Sequence, residues 1–372
     1  MKIRCSKSDL LKGVNTVYRA VPSKTTMSIL QCILINADEG NIKMIANDME
    51  LGIETVIKGE IEDKGIVALD AKMLFDIVHK LPDNDIYIES DESFMTRIIY
   101  DEGDNNSFKI VGRSGDDFSY LPEIEKKDPL IISEFTLKDI INKTIFSIAE
   151  NENNKIMTGE LFEIKSNRLR VVSLDGHRVS IVNTDLKNEY DERKVIIPGK
   201  ALSEVSKIIP GDSDKDVSIY FYDKNVLFEI EGTKIVTRLI EGEYFKIDQM
   251  LSNDYNTSFS INKKNLLDCI DRATLFIKEG DKKPIIMDIK DDTIQLKINS
   301  AVGSMNEDIS IEKEGNDLMI GFNPKFLIDA LRVIEDEKIN IYMVNSKAPC
   351  FIKNDNESYI YMVLPINFNV VN

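Results

Sequence analysis

Histidine is nearly missing from this chain, which holds only His79 and His177 among 372 residues. No HExxH pair occurs, and the four cysteines (Cys5, Cys32, Cys269 and Cys350) show no CxxC spacing, so no metal-ligand pattern emerges. A Walker A loop and a GxGxxG turn are absent as well, which leaves no nucleotide or other cofactor site to read. Cysteines this scattered suit small buried apolar residues in a reducing compartment. Long apolar runs are also lacking: no stretch approaches the roughly 18 residues of a membrane span. The N-terminus, MKIRCSKSDLLKG, carries charge where a signal peptide needs an apolar run. The expectation is a soluble, cytoplasmic protein with no cofactor and no metal.

Positive charge is in short supply too, with 47 Lys and Arg against 64 Asp and Glu for a net −17. Taken as a bulk number, that argues against nucleic acid as a partner. Hydrophobic residues make up 42% and charged residues 30%, the balance of a globular chain whose length suits two or three domains.

What is present is a repeat. Lys7-Ser8-Asp9-Leu10-Leu11, Lys138-Asp139-Ile140-Ile141 and Lys264-Asn265-Leu266-Leu267 open alike, with the aliphatic pairs 130 and 126 residues apart. A Lys-x-Leu signature recurs at Lys72/Leu74, Lys200/Leu202 and Lys325/Leu327, at separations of 128 and 125. Each marker opens a helical pattern: Leu10, Leu11, Val14 and Val17 in one case, Leu74, Val78 and Leu81 before Pro82 in another. Between helices the period drops to two. Val217, Ile219 and Phe221, then Val226, Phe228 and Ile230, then Ile235, Thr237 and Leu239 alternate around polar turns, which predicts an antiparallel meander with one buried face. Ile339, Ile341 and Met343 match them later, as do Tyr359, Tyr361 and Val363. The reading is an α+β protein of three repeated domains, 1–124, 125–250 and 251–372, each with two helices on antiparallel sheets. Sheet edges left at the two ends of such a row would close if two chains paired head to tail in a six-module ring.

Charge is segregated along the repeat. Residues 7–20 carry +2, while 71–80, 137–149, 199–208, 263–275 and 324–334 carry +1 each. The six stretches therefore hold +7, which leaves −24 for the rest of a chain whose total is −17. Basic helices on an acidic body can follow a phosphate backbone without reading sequence.

Catalytic groups are not found. Asp175-Gly176-His177-Arg178 is the most motif-like cluster, but Asp-Gly between apolar strands is first a hairpin turn, and His177 has no nucleophile beside it. Glu241 and Glu243 read as solvated loop charges. No enzyme is expected.

The repeat markers, the segment Val172-Ser173-Leu174-Asp175-Gly176-His177-Arg178-Val179 and the terminal Tyr361-Met362-Val363-Leu364-Pro365-Ile366 together resemble the beta subunits of bacterial DNA polymerase III, the sliding clamps, over essentially the whole chain. The resemblance implies DNA-clamp domains in a ring-forming homodimer that encircles double-stranded DNA without sequence preference. It also implies tethering of the replicative DNA polymerase, which confers processivity, and binding of polymerase and clamp loader through short apolar peptide motifs. By that likeness the partner-peptide cleft comprises Met157, Ser173, Gly176, His177, Arg178, Val179, Phe245, Gln249, Met250, Asn323, Phe326, Met362, Leu364, Pro365 and Ile366. DNA-binding candidates are Lys24, Lys72, Lys80, Lys138, Lys143, Lys200 and Lys207. The dimer interface would place Phe108 and Ile110 against Leu275, Phe276 and Ile277. Departures are visible: the family usually has proline at Phe245, a basic residue at Gln249 and an arginine at Lys24. The acidic cluster of the third module is reduced to Glu307 and Asp308, and the chain runs on past Ile366 to Asn372. A scaffold that uses the cleft without encircling DNA is the other reading the sequence allows.

Overall fold

The structure is a computed structural model that describes residues 1–38, 40–101, 106–118, 121–150, 154–211, 213–251, 254–278 and 283–368. It contains α1 (Lys7–Val17), α2 (Ala71–Lys80), α3 (Glu134–Thr144), α4 (Gly199–Ile208), α5 (Lys263–Thr274) and α6 (Pro324–Val333), spaced by antiparallel strands.

Local chemistry starts most of these helices. The Ser6 hydroxyl accepts from the Asp9 amide at 3.0 Å to open α1, and Asp70 accepts from the Met73 amide at 2.8 Å to open α2. Asn262 and Asn323 cap α5 and α6 in the same way, each at 3.0 Å, and Pro324 adds a preset first turn. The bounds of α2 and α4 coincide with the stretches read from the repeat. The first helix is shorter than read and tightens into a 3-10 turn at Tyr18–Ala20. The stretch read as 137–149 is corrected: α3 begins at Glu134 and ends at Thr144, with a 3-10 turn at Ile145–Ser147. Glu134 is fully buried, accepts from the Ser213 hydroxyl at 2.6 Å and donates its amide to the Lys215 carbonyl at 2.8 Å. Including Glu134 makes α3 electrically neutral, where the sequence reading gave +1.

The chain divides into two compact units, residues 1–135 with 204–239, and residues 136–203 with 240–372. In the first, an eight-stranded sheet runs in the order Leu130–Ser133, Asp216–Tyr222, Asn225–Ile230, Thr233–Arg238, Leu51–Ile57, Asn41–Asn47, Cys32–Asp38 and Gly65–Asp70. A five-stranded sheet accompanies it, ending on Ser107–Val111. In the second unit a seven-stranded sheet includes Gly159–Leu174, Arg178–Pro198, Tyr359–Val363, Cys350–Lys353 and Lys338–Met343 in that order. Its companion has four strands and ends on Gly303–Ser310.

Each large sheet joins chain stretches far apart in sequence. Thr237 pairs with Leu51 and Val236 with Gly52 in the first unit, as Val363 pairs with Arg178 and Met362 with Val179 in the second. The meander of 216–238 forms as expected, with one correction. Its second face is also covered in the middle, where Tyr220, Leu227 and Val236 pack under Leu121 and Ile124. Apolar residues at both parities explain why simple alternation under-read the burial. All four cysteines are free thiols and buried.

Candidate functional site

The turn between Gly159–Leu174 and Arg178–Pro198 organises the most elaborate cluster of the second unit. Asp175 accepts through Oδ1 from the amides of His177 (2.9 Å) and Arg178 (3.1 Å), and Gly176 takes φ +87°, where a side chain would be strained. The hairpin reading of Asp175-Gly176 therefore holds. The second Asp175 oxygen accepts from Arg178 Nε at 2.9 Å, and Arg178 Nη1 donates to Asp329 of α6 at 2.7 Å. Arg178 also donates to the Phe146 carbonyl and lies over the Phe326 ring, 4.6 Å from its centroid. Only 7% of Arg178 is exposed. Its charge is spent inside the fold, where it ties the turn to α6.

Apolar residues gather beside this turn. Val179, Met362, Leu161, Val172, Leu174 and Ile181 form a buried cluster with Tyr244 and Ile247, and the half-buried Met157, Phe245 and Leu251 pack against it. The Leu364 amide donates to the His177 carbonyl at 2.9 Å, which continues the sheet past Val363, and His177 stacks on Phe326 with centroids 6.0 Å apart. Among the residues the sequence nominated, Met157, Val179, Phe245 and Met362 share this cluster, while Gly176, His177 and Arg178 belong to the turn and Phe326 meets it from α6. Gln249 ends the 3-10 turn Ile247–Gln249 and Met250 follows it, both exposed, and Asn323 caps α6. Ser173 differs from its neighbours. It is wholly buried on the opposite face of its strand from Val172 and Leu174, and its hydroxyl donates to the Thr144 carbonyl at 2.6 Å.

The chain beyond Val363 stays with the same unit. Ile366 donates its amide to the Gly321 carbonyl at 2.8 Å, and the Phe368 ring lies against Gly321, where a Cβ would sit only 2.6 Å from it. Leu364, Pro365 and Ile366 are half-buried along this path. Residues 369–372 lie outside the described residues.

Sequence reasoning missed Asp329, Phe146, Tyr244 and Ile247. Asp329 follows Phe326 by three positions on α6 and so shares its face, a spacing visible in the sequence. Nothing local announces Phe146, whose part is played by a backbone carbonyl.

One buried group lies outside this surface. Glu160 is fully buried, neither carboxylate oxygen has a hydrogen-bond partner among the described residues, and burial pushes its pKa up to about 8. The Thr144 hydroxyl opposes this slightly, but it donates to the Ile140 carbonyl at 2.8 Å.

The nominated lysines fall into two groups. Lys24, Lys72, Lys80, Lys200 and Lys207 are exposed, the last four on α2 and α4, while Lys138 and Lys143 are half-buried on α3. Lys143 pairs with Asp139 at 2.6 Å, and Lys207 with Glu204 at 2.7 Å, which Arg19 also reaches at 3.0 Å. Lys24, Lys72 and Lys80 have no ion-pair partner among the described residues. Of the nominated interface residues, Phe108 and Ile110 lie on the terminal strand Ser107–Val111, with Phe108 39% and Val111 73% exposed. Leu275 is 78% exposed after α5, while Phe276 packs against Gly303 of the opposite terminal strand. Ile277 is half-buried nearby in sequence. Arg272 holds Glu307 through a two-pronged ion pair that keeps the Glu307 carboxyl below its usual range.

These surfaces offer shape, charge and apolar contact. They define a repeat-built binding protein. Three family descriptions match in sequence: DNA polymerase III beta subunit N-terminal domain over 1–122, central domain over 131–246 and C-terminal domain over 248–367. The beta sliding clamp of Staphylococcus epidermidis is 30% identical over 98% of this chain and 99% of its own length. A crystal structure of a DNA polymerase III beta subunit from Eubacterium rectale superposes with a TM-score of 0.95 at 63% identity, covering 100% of both chains. The sliding clamp of Bacillus subtilis gives 0.95 at 30% identity, covering 99% of this chain and 100% of its own. The chain belongs to the beta sliding clamp family, the beta subunits of DNA polymerase III, which are processivity factors of DNA replication and not enzymes.

Proposed function

We propose that two copies of this chain close head to tail into a ring around double-stranded DNA, and that the cleft at the Asp175–Arg178 turn holds short peptide motifs of the replicative polymerase and the clamp loader. The observation that carries the reading is that two of the sheets' terminal strands have exposed apolar residues at or near them. Ser107–Val111 and Gly303–Ser310 each have one paired neighbour among the described residues, and Phe108, Val111 and Leu275 present apolar surface at or near them. Joining one edge to the other across two copies buries that surface and removes both edges. Glu307 is already held by Arg272, so apolar contact and strand pairing carry this interface more than charge.

The modules run 1–124, 125–250 and 251–372 in this reading. Lys24, Lys72, Lys80, Lys138, Lys143, Lys200 and Lys207 touch phosphates loosely, so the ring slides while closure prevents escape. The cleft supplies an apolar floor of Val179 and Met362, with Met157, Phe245 and Leu364 around it, suited to aliphatic and aromatic anchors. The protein works in the cytoplasm.

The test is loading onto nicked circular DNA by a clamp loader with ATP, followed by linearisation. A ring slides off the new ends. A protein that stays bound, or a solution mass of one chain at micromolar concentration, would establish the non-encircling scaffold instead.

A further inference from the structure

The backbone scaffold of the cleft in the second unit is repeated in the first. Asp48 accepts through Oδ1 from the amides of Glu50 (3.0 Å) and Leu51 (2.7 Å), as Asp175 does from His177 and Arg178. The Arg238 amide donates to the Glu50 carbonyl at 3.2 Å, as the Leu364 amide does to His177. Register fixes the remaining equivalences: Leu51 stands for Arg178, Gly52 for Val179 and Val236 for Met362.

Met49 stands where Gly176 does, and it keeps the same left-handed backbone at φ +76° although a methionine is strained there. Its side chain is 62% exposed. The side chain missing at Gly52 is replaced by Leu121, whose Cδ2 occupies the space of a Cβ. Beside these residues lies a cavity of about 360 Å³, walled by the Asn47–Gly52 turn, Leu121, Pro122, the Asp223–Asn225 hairpin and Val236–Arg238. That is room for one or two aliphatic side chains, at the small end of ligand pockets.

We propose that this groove is a second peptide-binding site, which takes the aliphatic anchor of a short extended segment from a partner protein. The proposal rests on the reading of the Asp175–Arg178 cleft as a peptide site, because the two share one scaffold. The chemistry at the mouth differs: Glu50 replaces His177, Arg238 replaces Leu364, and Lys224 lies on the facing hairpin. The two sites therefore select different flanking residues around a common aliphatic anchor.

The probe is a synthetic hexapeptide with two leucines and one phenylalanine, one leucine being photoreactive, titrated calorimetrically into the full-length protein. The expected stoichiometry is two peptides per chain, falling to one in Met362→Ala/Leu364→Ala, to one in Arg238→Trp, and to none when these are combined. Arg238 is exposed, so the tryptophan fills the groove without entering the core, and Lys224→Trp repeats the block from the other wall. Photolabelling in the Met362→Ala/Leu364→Ala background is expected on the peptides containing Met49 or Leu121. Binding unmoved by both tryptophans would overturn the groove, whatever the stoichiometry of the parent. If the tryptophans remove one peptide while Met362→Ala/Leu364→Ala removes none, the groove stands and the cleft reading fails.

Discussion

Arg178 and Asp329 meet at 2.7 Å although 151 positions separate them in the chain. The contact is nearly dry, with the two side chains 8% and 21% exposed, and Asp175 holds the same guanidinium from its other edge. Two carboxylates around one buried cation fix the turn that carries His177 against the helix that carries Phe326.

Removing one member of such a cluster leaves uncompensated buried charge. Arg178→Ala is expected to cost about 3 kcal/mol of stability, and Asp329→Asn less, because Asp175 remains. Denaturant melts of the two variants measure this. Loss of peptide affinity in Asp329→Asn, a residue placed behind the surface, would show the turn acting through its position. Equal stability of Arg178→Ala and parent would refute the anchoring role.

Glu160 gives the fold a pH dependence of known sign. Its folded pKa, raised to about 8, lies above the ordinary glutamate value, so the folded state keeps a proton that the unfolded state releases. Stability from this group is complete below about pH 4.5 and falls as pH rises towards 8, by about 1.4 kcal/mol per unit where only the folded state holds the proton. Glu160→Gln should flatten that slope, so its advantage over the parent grows from pH 5 to 8. Parallel stability–pH curves would contradict the assignment.

Met362→Ala with Leu364→Ala is expected to abolish binding of polymerase-derived peptides at the cleft while leaving the mass of the assembly unchanged. Equilibrium binding on immobilised peptide and sedimentation read the two effects separately. Unchanged affinity for those peptides would remove the cleft from consideration.

Phe108→Asp and Leu275→Asp each place a charge on exposed apolar surface at a proposed seam. Either change should shift the sedimenting species from two chains to one and abolish retention on circular DNA, with the melting temperature little altered. A dimer that survives both substitutions would place the interface elsewhere.

Legibility in the sequence followed the range of the interactions. The bounds of α2 and α4 were readable because Pro82 and Pro210 close the apolar patterns that run up to them. The start of α3 was not, since it depends on Glu134 meeting Ser213, 79 residues away. The threefold period was visible in Leu10, Ile140 and Leu266. The joining of Leu51–Ile57 to Thr233–Arg238 was invisible, because hydrogen bonds between backbones leave little trace in residue type. At the site, the turn chemistry of Asp175 and Gly176 was plain. The inward turn of Ser173 and the buried commitment of Arg178 were not, since both depend on what lies across the sheet.

The four buried thiols have a practical consequence. Burial raises every one of them, Cys5, Cys269 and Cys350 to about 12, so the native chain offers maleimides almost nothing to react with at neutral pH. A single cysteine introduced at Lys109 or at Val302 is therefore expected to carry a dye or a crosslinker alone, with no native cysteine removed. Two such positions, Lys109 on one proposed edge strand and Val302 in the turn that leads into the other, would let a bifunctional reagent weld the assembly shut and turn a question of equilibrium into one of covalent topology.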